Sequence, residues 1–219
     1  MLVFLVFLFT FISGMTCAEY NCAEDPLKQC KFEITKDSIP WDDSQFSELC
    51  EKLAMYYNCS SENNITQAEL CSLPLVLSKS KALVKEVCSN YSVLRNRYLV
   101  FGNCYKLAFE KKIGKCIREA DEIHKLLKPF LENKDVQVKG VSGKCIKTAY
   151  IMDCYIYVIS RTCGFEASAD IGELLHRASS YNYGCKNREE YGKALRAIQF
   201  ANYDRTIDTY TDYEEEYEG

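Results

Sequence analysis

Apolar positions recur at three- and four-residue spacing through most of the chain, in blocks separated by short polar links. After Trp41, the residues Phe46, Leu49, Cys50, Leu53 and Tyr57 share one face. They predict a helix capped by Asp43 or Ser44 that ends near Cys59. The polar loop SSENN follows, and Ser72, two before Pro74, opens a second helix through Leu73, Val76, Leu77, Val84, Val87 and Cys88. A third runs from about Tyr91 to Lys111 on Leu94, Tyr98, Phe101, Tyr105 and Ala108. After Gly114 the pattern restarts on Cys116, Ile117, Ala120, Ile123, Leu127 and Phe130, with Pro129 expected to kink or end that helix. The stretch ENKDVQVKGVSG is the one convincing break in the body. Beyond it, Lys144–Cys163 is densely apolar, with Asp153 the only charge between Ala149 and Ile159. Its YIYVIS core suits a buried strand as well as a helix. Ile171, Leu174, Leu175 and Ala178 mark a further helix. A capping-box-like Asn187-x-x-Glu190 opens the last one, through Tyr191, Leu195 and Ile198. Apart from a short strand expected at KFEIT, near residue 33, the pattern is that of an all-α body.

Cysteines change this picture from a bundle to a stapled bundle. The chain has 13, and Cys145, Cys154 and Cys163 punctuate the central stretch at equal spacing. On a helix, neighbours nine residues apart sit about 13 Å apart along the axis, too far to pair with each other. Cys154 would then face away from Cys145 and Cys163, so that one rod is bolted to its surroundings on two sides. Met1–Ala18 reads as a secretory signal peptide: an uncharged apolar core from Leu2 to Ile12, then the small-residue site Thr16-Cys17-Ala18. Removing it takes Cys17 and leaves an even twelve: Cys22, Cys30, Cys50, Cys59, Cys71, Cys88, Cys104, Cys116, Cys145, Cys154, Cys163 and Cys185. No C-x-x-C pair brings two thiolates to one ion, so six disulfides are expected and no metal site or cofactor. Twelve cysteines allow on the order of ten thousand pairings, so connectivity is not readable from spacing.

Charge divides the rest. The net charge is −4, but the last residues, YDRTIDTYTDYEEEYEG, hold seven carboxylates against one arginine from Asp204 onward. The tail is therefore −6 and the body, Glu19–Tyr203, is +2. Three regions follow: signal peptide 1–18, cysteine-rich helical domain 19–203, and acidic tail 204–219, expected to be disordered because it has too little apolar surface to offset its ordering entropy. Tyr210, Tyr213 and Tyr217 lie among its carboxylates, a context that suits sulfation in an exported chain. The sequons Asn58-Cys-Ser, Asn64-Ile-Thr and Asn90-Tyr-Ser are candidate glycosylation sites. Basic residues are scattered, without the stripe that nucleic-acid binding requires. No stretch beyond the signal peptide is long enough for a membrane span.

Catalytic signatures are lacking. His124 and His176 both lie within amphipathic helical patterns, neither beside a nucleophile turn, and no G-x-S-x-G or H-E-x-x-H motif occurs. Paired glycosidase carboxylates leave no short motif. The expectation is a non-enzyme.

Cys50-x8-Cys59, VKEVCSNYSVLRNRYLVFGNCYKL and CIKTAYIMDCYIYVISRTCG, with Cys163-Gly164 closing the last core segment, resemble a family of secreted, cysteine-rich, helical proteins of nematodes and arthropods known as "domain of unknown function nineteen". The resemblance spans roughly Cys22 to Cys185. It implies secretion and a disulfide-bonded helical fold, and it brings no catalytic residues. A fainter one is to arthropod haemolymph glycoproteins. Three functions follow as expectations: an extracellular protein that binds an unidentified protein partner, a carrier of a small apolar ligand in the Tyr150–Ile159 core, and a hydrolase without a readable motif.

Overall fold

The computed structural model describes residues 30, 40–62, 72–132 and 140–203. Among these are seven α-helices and one 3-10 helix and no strand: α1 (Asp43–Glu62), α2 (Ser72–Val87), α3 (Val93–Val100), α4 (Gly102–Glu132), α5 (Gly143–Cys163), α6 (Phe165–Arg177), the 3-10 turn Ser180–Tyr183, and α7 (Arg188–Tyr203). The all-α expectation is met. The central stretch is a helix from end to end, despite its strand-like core. The signal peptide, the KFEIT strand, Cys22, Cys71, Asn64 and the acidic tail with Tyr210, Tyr213 and Tyr217 lie outside the described residues.

Local chemistry sets the helix ends. Asp42, rather than Asp43 or Ser44, caps α1: its Oδ1 accepts from Gln45 N at 2.9 Å, and Gln45 Oε1 accepts from Trp41 N at 2.8 Å. Asp43 is thereby free to serve elsewhere. Ser92 caps α3 by accepting from Arg95 N, and Ser142 caps α5 by accepting from Cys145 N, both at 3.1 Å. Asn187 Oδ1 accepts from Glu190 N at 2.9 Å, as the capping box anticipates. The reciprocal half is redirected, since Glu190 accepts from Lys186 N at 2.6 Å and from Ser142 N at 2.9 Å.

Two boundaries differ from the sequence reading. The break expected near Gly114 is absent, and α4 runs through Gly114 and Pro129 to Glu132. A lone interior glycine costs only about 1 kcal/mol relative to alanine, which the flanking apolar face offsets. Pro129 stands within the last turn, so the bond it cannot donate and the kink it favours fall where little helix follows. The chain breaks at Phe101 instead, inside the expected Tyr91–Lys111 helix. A side chain on Gly102 would collide with the Trp41 carbonyl, so the backbone turns where that carbonyl lies against it. Between α5 and α6 the whole connection is Gly164, whose φ of +91° is open to glycine at little cost.

The chain forms two compact units, Met1–Ile113 with Tyr155–Tyr183, and Gly114–Cys154 with Gly184–Gly219. The first buries a cluster of aromatic rings among aliphatic side chains such as Leu49, Leu53 and Ile171. Tyr98 and Tyr105 stack with centroids 5.1 Å apart, Phe46 meets Tyr98 edge-on at 5.7 Å, and Tyr155 is buried with them. The Tyr98 hydroxyl donates to Pro40 O at 2.9 Å and that of Tyr105 to Ala167 O at 3.1 Å, which satisfies both polar tips. The second unit has an aliphatic core of Ile123, Leu127, Val141, Ile146, Ala149, Ala194, Ala197 and Ile198, closed around Cys145 and Cys185.

Candidate functional site

Among the described residues, the expected site residues that the structure draws together are the cysteines, and all ten described cysteines are paired. Cys30 joins Cys59, Cys50 joins Cys88, Cys104 joins Cys163, Cys116 joins Cys154, and Cys145 joins Cys185. Every Cα–Cα distance lies between 4.4 and 5.8 Å, within the normal reach of a disulfide. The three cysteines of α5 bond elsewhere and not to one another. Their facing is less simple than the wheel suggests: Cys154 and Cys163 both reach α4, while Cys145 reaches the segment before α7. Two cysteines on opposite sides of a helix can both join one neighbour when each bonds from its own flank of the contact.

Cys145–Cys185 has the closest backbones, 4.4 Å apart. Gly184 permits this approach: a Cβ there would stand 2.6 Å from Lys144 O and would also strike Thr148. Ser142 Oγ donates to Gly184 O at 3.3 Å beside the same junction. The sequence reading missed Gly184. A glycine directly before a cysteine was the available signal.

In the first unit a polar lattice braces the helices, and spacing could not have revealed its contacts between helices, whose partners are distant in sequence. Arg97 pairs with Asp170 and reaches Glu173 at 3.0 Å. Arg177 pairs with Glu86 and reaches Glu173 at 3.3 Å. Arg95, almost fully buried, holds Asp43 at 2.7 Å and Ser47 Oγ at 2.8 Å, with its guanidinium 5.0 Å over the Phe46 ring. These arginines tie α3 to α6 and to the start of α1.

The titratable groups suit structural roles. His124 is half-buried against Gly143, and loss of water together with the neighbouring Lys147 lowers its pKa below the ordinary histidine range. Burial pushes the phenols of Tyr57 and Tyr191 up to about 12 and holds that of Tyr98 well above the usual value, which leaves them protonated near neutral pH. Burial also raises the Asp153 carboxyl. Among the described residues no group of three or more His, Cys, Asp or Glu side chains could hold a metal ion, and no helix is long and apolar enough to cross a membrane. Asn58 is exposed on α1 and Asn90 is exposed in the turn between α2 and α3.

Fold and bridges together define a disulfide-stapled, all-α protein. No protein-family model, curated protein or solved structure matches the chain.

Proposed function

We propose that the chain is an exported glycoprotein that acts by binding another extracellular macromolecule and not by catalysis. The observation that carries this reading is the set of five disulfides joining separate elements of a body that already buries two apolar cores. A chain of about this length can fold on burial alone. Bridges added to such a core belong to an oxidising compartment, and they slow the openings through which extracellular proteases attack. The apolar run at the N-terminus supports export, and the −6 tail gives the partner a chemistry, a basic surface met through long-range attraction.

The carrier alternative loses support from packing, because Ile151, Met152, Tyr155 and Ile159 are spent on the protein's own core. Native mass spectrometry of the protein purified from its source fluid separates the readings. A stoichiometric protein adduct that dissociates as salt is raised is the expected result. A co-purifying small molecule with no protein adduct would replace binder by carrier, and a bare chain at every salt concentration would remove both.

A further inference from the structure

Two sequons lie among the described residues, and their surroundings differ. Asn58 sits in the C-terminal half of α1, and Cys59, the middle residue of its sequon, is bonded to Cys30. Asn90 stands exposed in the turn between α2 and α3. That turn is clamped on both sides, by the Cys50–Cys88 bridge two residues earlier and by Ser92, the sequon's third residue, which caps α3. In the folded chain a group attached at Asn90 would thus project from a fixed backbone.

Exposed apolar side chains stand beside Asn90. Tyr91 is 92% exposed, Val93 70% and Val100 76%, the last two seven residues apart and so on one face of α3. Tyr91 is the most exposed large apolar side chain among the described residues. Single exposed apolar residues need no explanation, but Tyr91 and Val93 stand directly after a sequon asparagine, which points to what would cover them. Sugars carry apolar C–H faces that stack on aromatic rings, and the first sugars on Asn90 would emerge next to Tyr91.

We propose that Asn90 carries an N-linked glycan whose inner sugars lie over Tyr91 and Val93, and that Asn58 stays bare. The modification rests on the export reading, because the donor is a lipid diphosphate-linked oligosaccharide of the secretory lumen. The Asn90 amide nitrogen forms a bond to the anomeric carbon of the first sugar. The bond from that carbon to the diphosphate oxygen breaks, the lipid diphosphate departs with the electron pair, and the amide gives up one proton. Transfer takes place on the entering chain, before Ser92 is committed to capping α3, so its hydroxyl is available to the transferase. At Asn58 the middle residue of the sequon is Cys59, and its partner Cys30 lies 29 residues upstream, already in the lumen when the sequon enters. The bond between them ties the sequon down within α1.

The test expresses the full chain behind a supplied leader in a eukaryotic secretory cell and treats the medium with peptide N-glycosidase in heavy-oxygen water. The expected result is a labelled aspartate at position 90, none at position 58, and loss of one glycan mass in Asn90→Gln. Ser92→Thr keeps both sequon and cap, and retains the glycan. An unlabelled Asn90 in exported, fully bridged protein overturns the proposal, and a labelled Asn58 overturns its selectivity. Covering is read by fluorescence of an apolar dye, which should rise in Asn90→Gln and fall back when Tyr91→Ser and Val93→Thr are added. No rise overturns the covering. A parallel arm uses the chain's own first 18 residues: retention inside the cell defeats the export reading, while the supplied-leader arm still decides Asn90.

Discussion

The two units solve one problem, holding short helices together, by different means. In the first, the bridging cysteines Cys50, Cys88, Cys104 and Cys163 are half-buried, while tyrosines are buried in the interior, where the Tyr98 and Tyr105 hydroxyls reach backbone carbonyls. Arginines pair with carboxylates around it. In the second, Cys145 and Cys185 are themselves core residues among Ile146, Ala149, Ala194 and Ile198, and the backbones approach closely at Gly184. A disulfide at an edge restricts the unfolded chain and little else. A disulfide in a small aliphatic core is also packing volume. The unit with fewer large side chains is the one that uses sulfur to fill its centre.

The sharpest contrast lies between two bridges that close nearly equal loops, with separations of 40 and 38 residues. Removing either by paired Cys→Ala changes costs about 4 kcal/mol in loop entropy. Removing Cys145–Cys185 should cost a further 1–2 kcal/mol, roughly, for the voids left in a sealed core. Urea midpoints of the two double variants, read by circular dichroism, measure the difference. Equal midpoints would break the distinction between edge and core bridges.

Gly184→Ala attacks the close approach of the second unit. The added methyl meets Lys144 O, which belongs to the first turn of α5 and cannot swing aside. The expected loss is about 2–3 kcal/mol. Adding Thr148→Ala relieves only the hydroxyl contact, so rescue should be partial. Complete rescue would show that the backbone approach is not tight.

Arg97→Met attacks the lattice of the first unit. Asp170 is buried beside Glu173, and without the guanidinium its carboxylate is left with a like charge. A loss of about 2 kcal/mol is expected, below that of a sealed pair because Arg97 is half-exposed. Asp170→Asn on the same background should recover part of it. A double-mutant cycle with no coupling would reduce the lattice to decoration.

What could be read from the sequence follows from what is local. Periodicity, caps and the Gly-containing link located α1, α2, α5, α6 and α7 to within a few residues, because i, i+3 and i+4 neighbours define a buried face wherever it packs. The Asn187–Glu190 box was legible because both partners lie within one turn. The close approach at Gly102, beside the break at Phe101, was not, since it is made with the carbonyl of Trp41, some sixty positions away. Continuity through Gly114 was missed for the same reason: packing outside the window overrode a local preference. Of the candidate site, cysteine parity predicted that all are paired, and ten are. The pairing itself, the role of Gly184 and the bond from Asp43 to Arg95 depend on contacts that no spacing encodes.

The smallest expected effect concerns His124, which titrates inside the second unit. Loss of water and the cations of Lys147 and Lys128 disfavour its charged form, while Asp121 works the other way and also holds Lys147 at 2.5 Å. The net shift is downward, so the unfolded chain binds a proton more readily than the folded one does. Stability from this group is therefore complete above the ordinary histidine pKa of about 6.5 and is lost as pH falls through it toward the lower folded value. A folded pKa raised above the ordinary one would give the opposite slope. His124→Gln removes the titration while leaving a side chain that fits beside Gly143. Between about pH 7 and pH 5 its unfolding midpoint should fall less than that of the parent chain. Identical slopes would mean that His124 stays equally solvated in the folded and the unfolded chain.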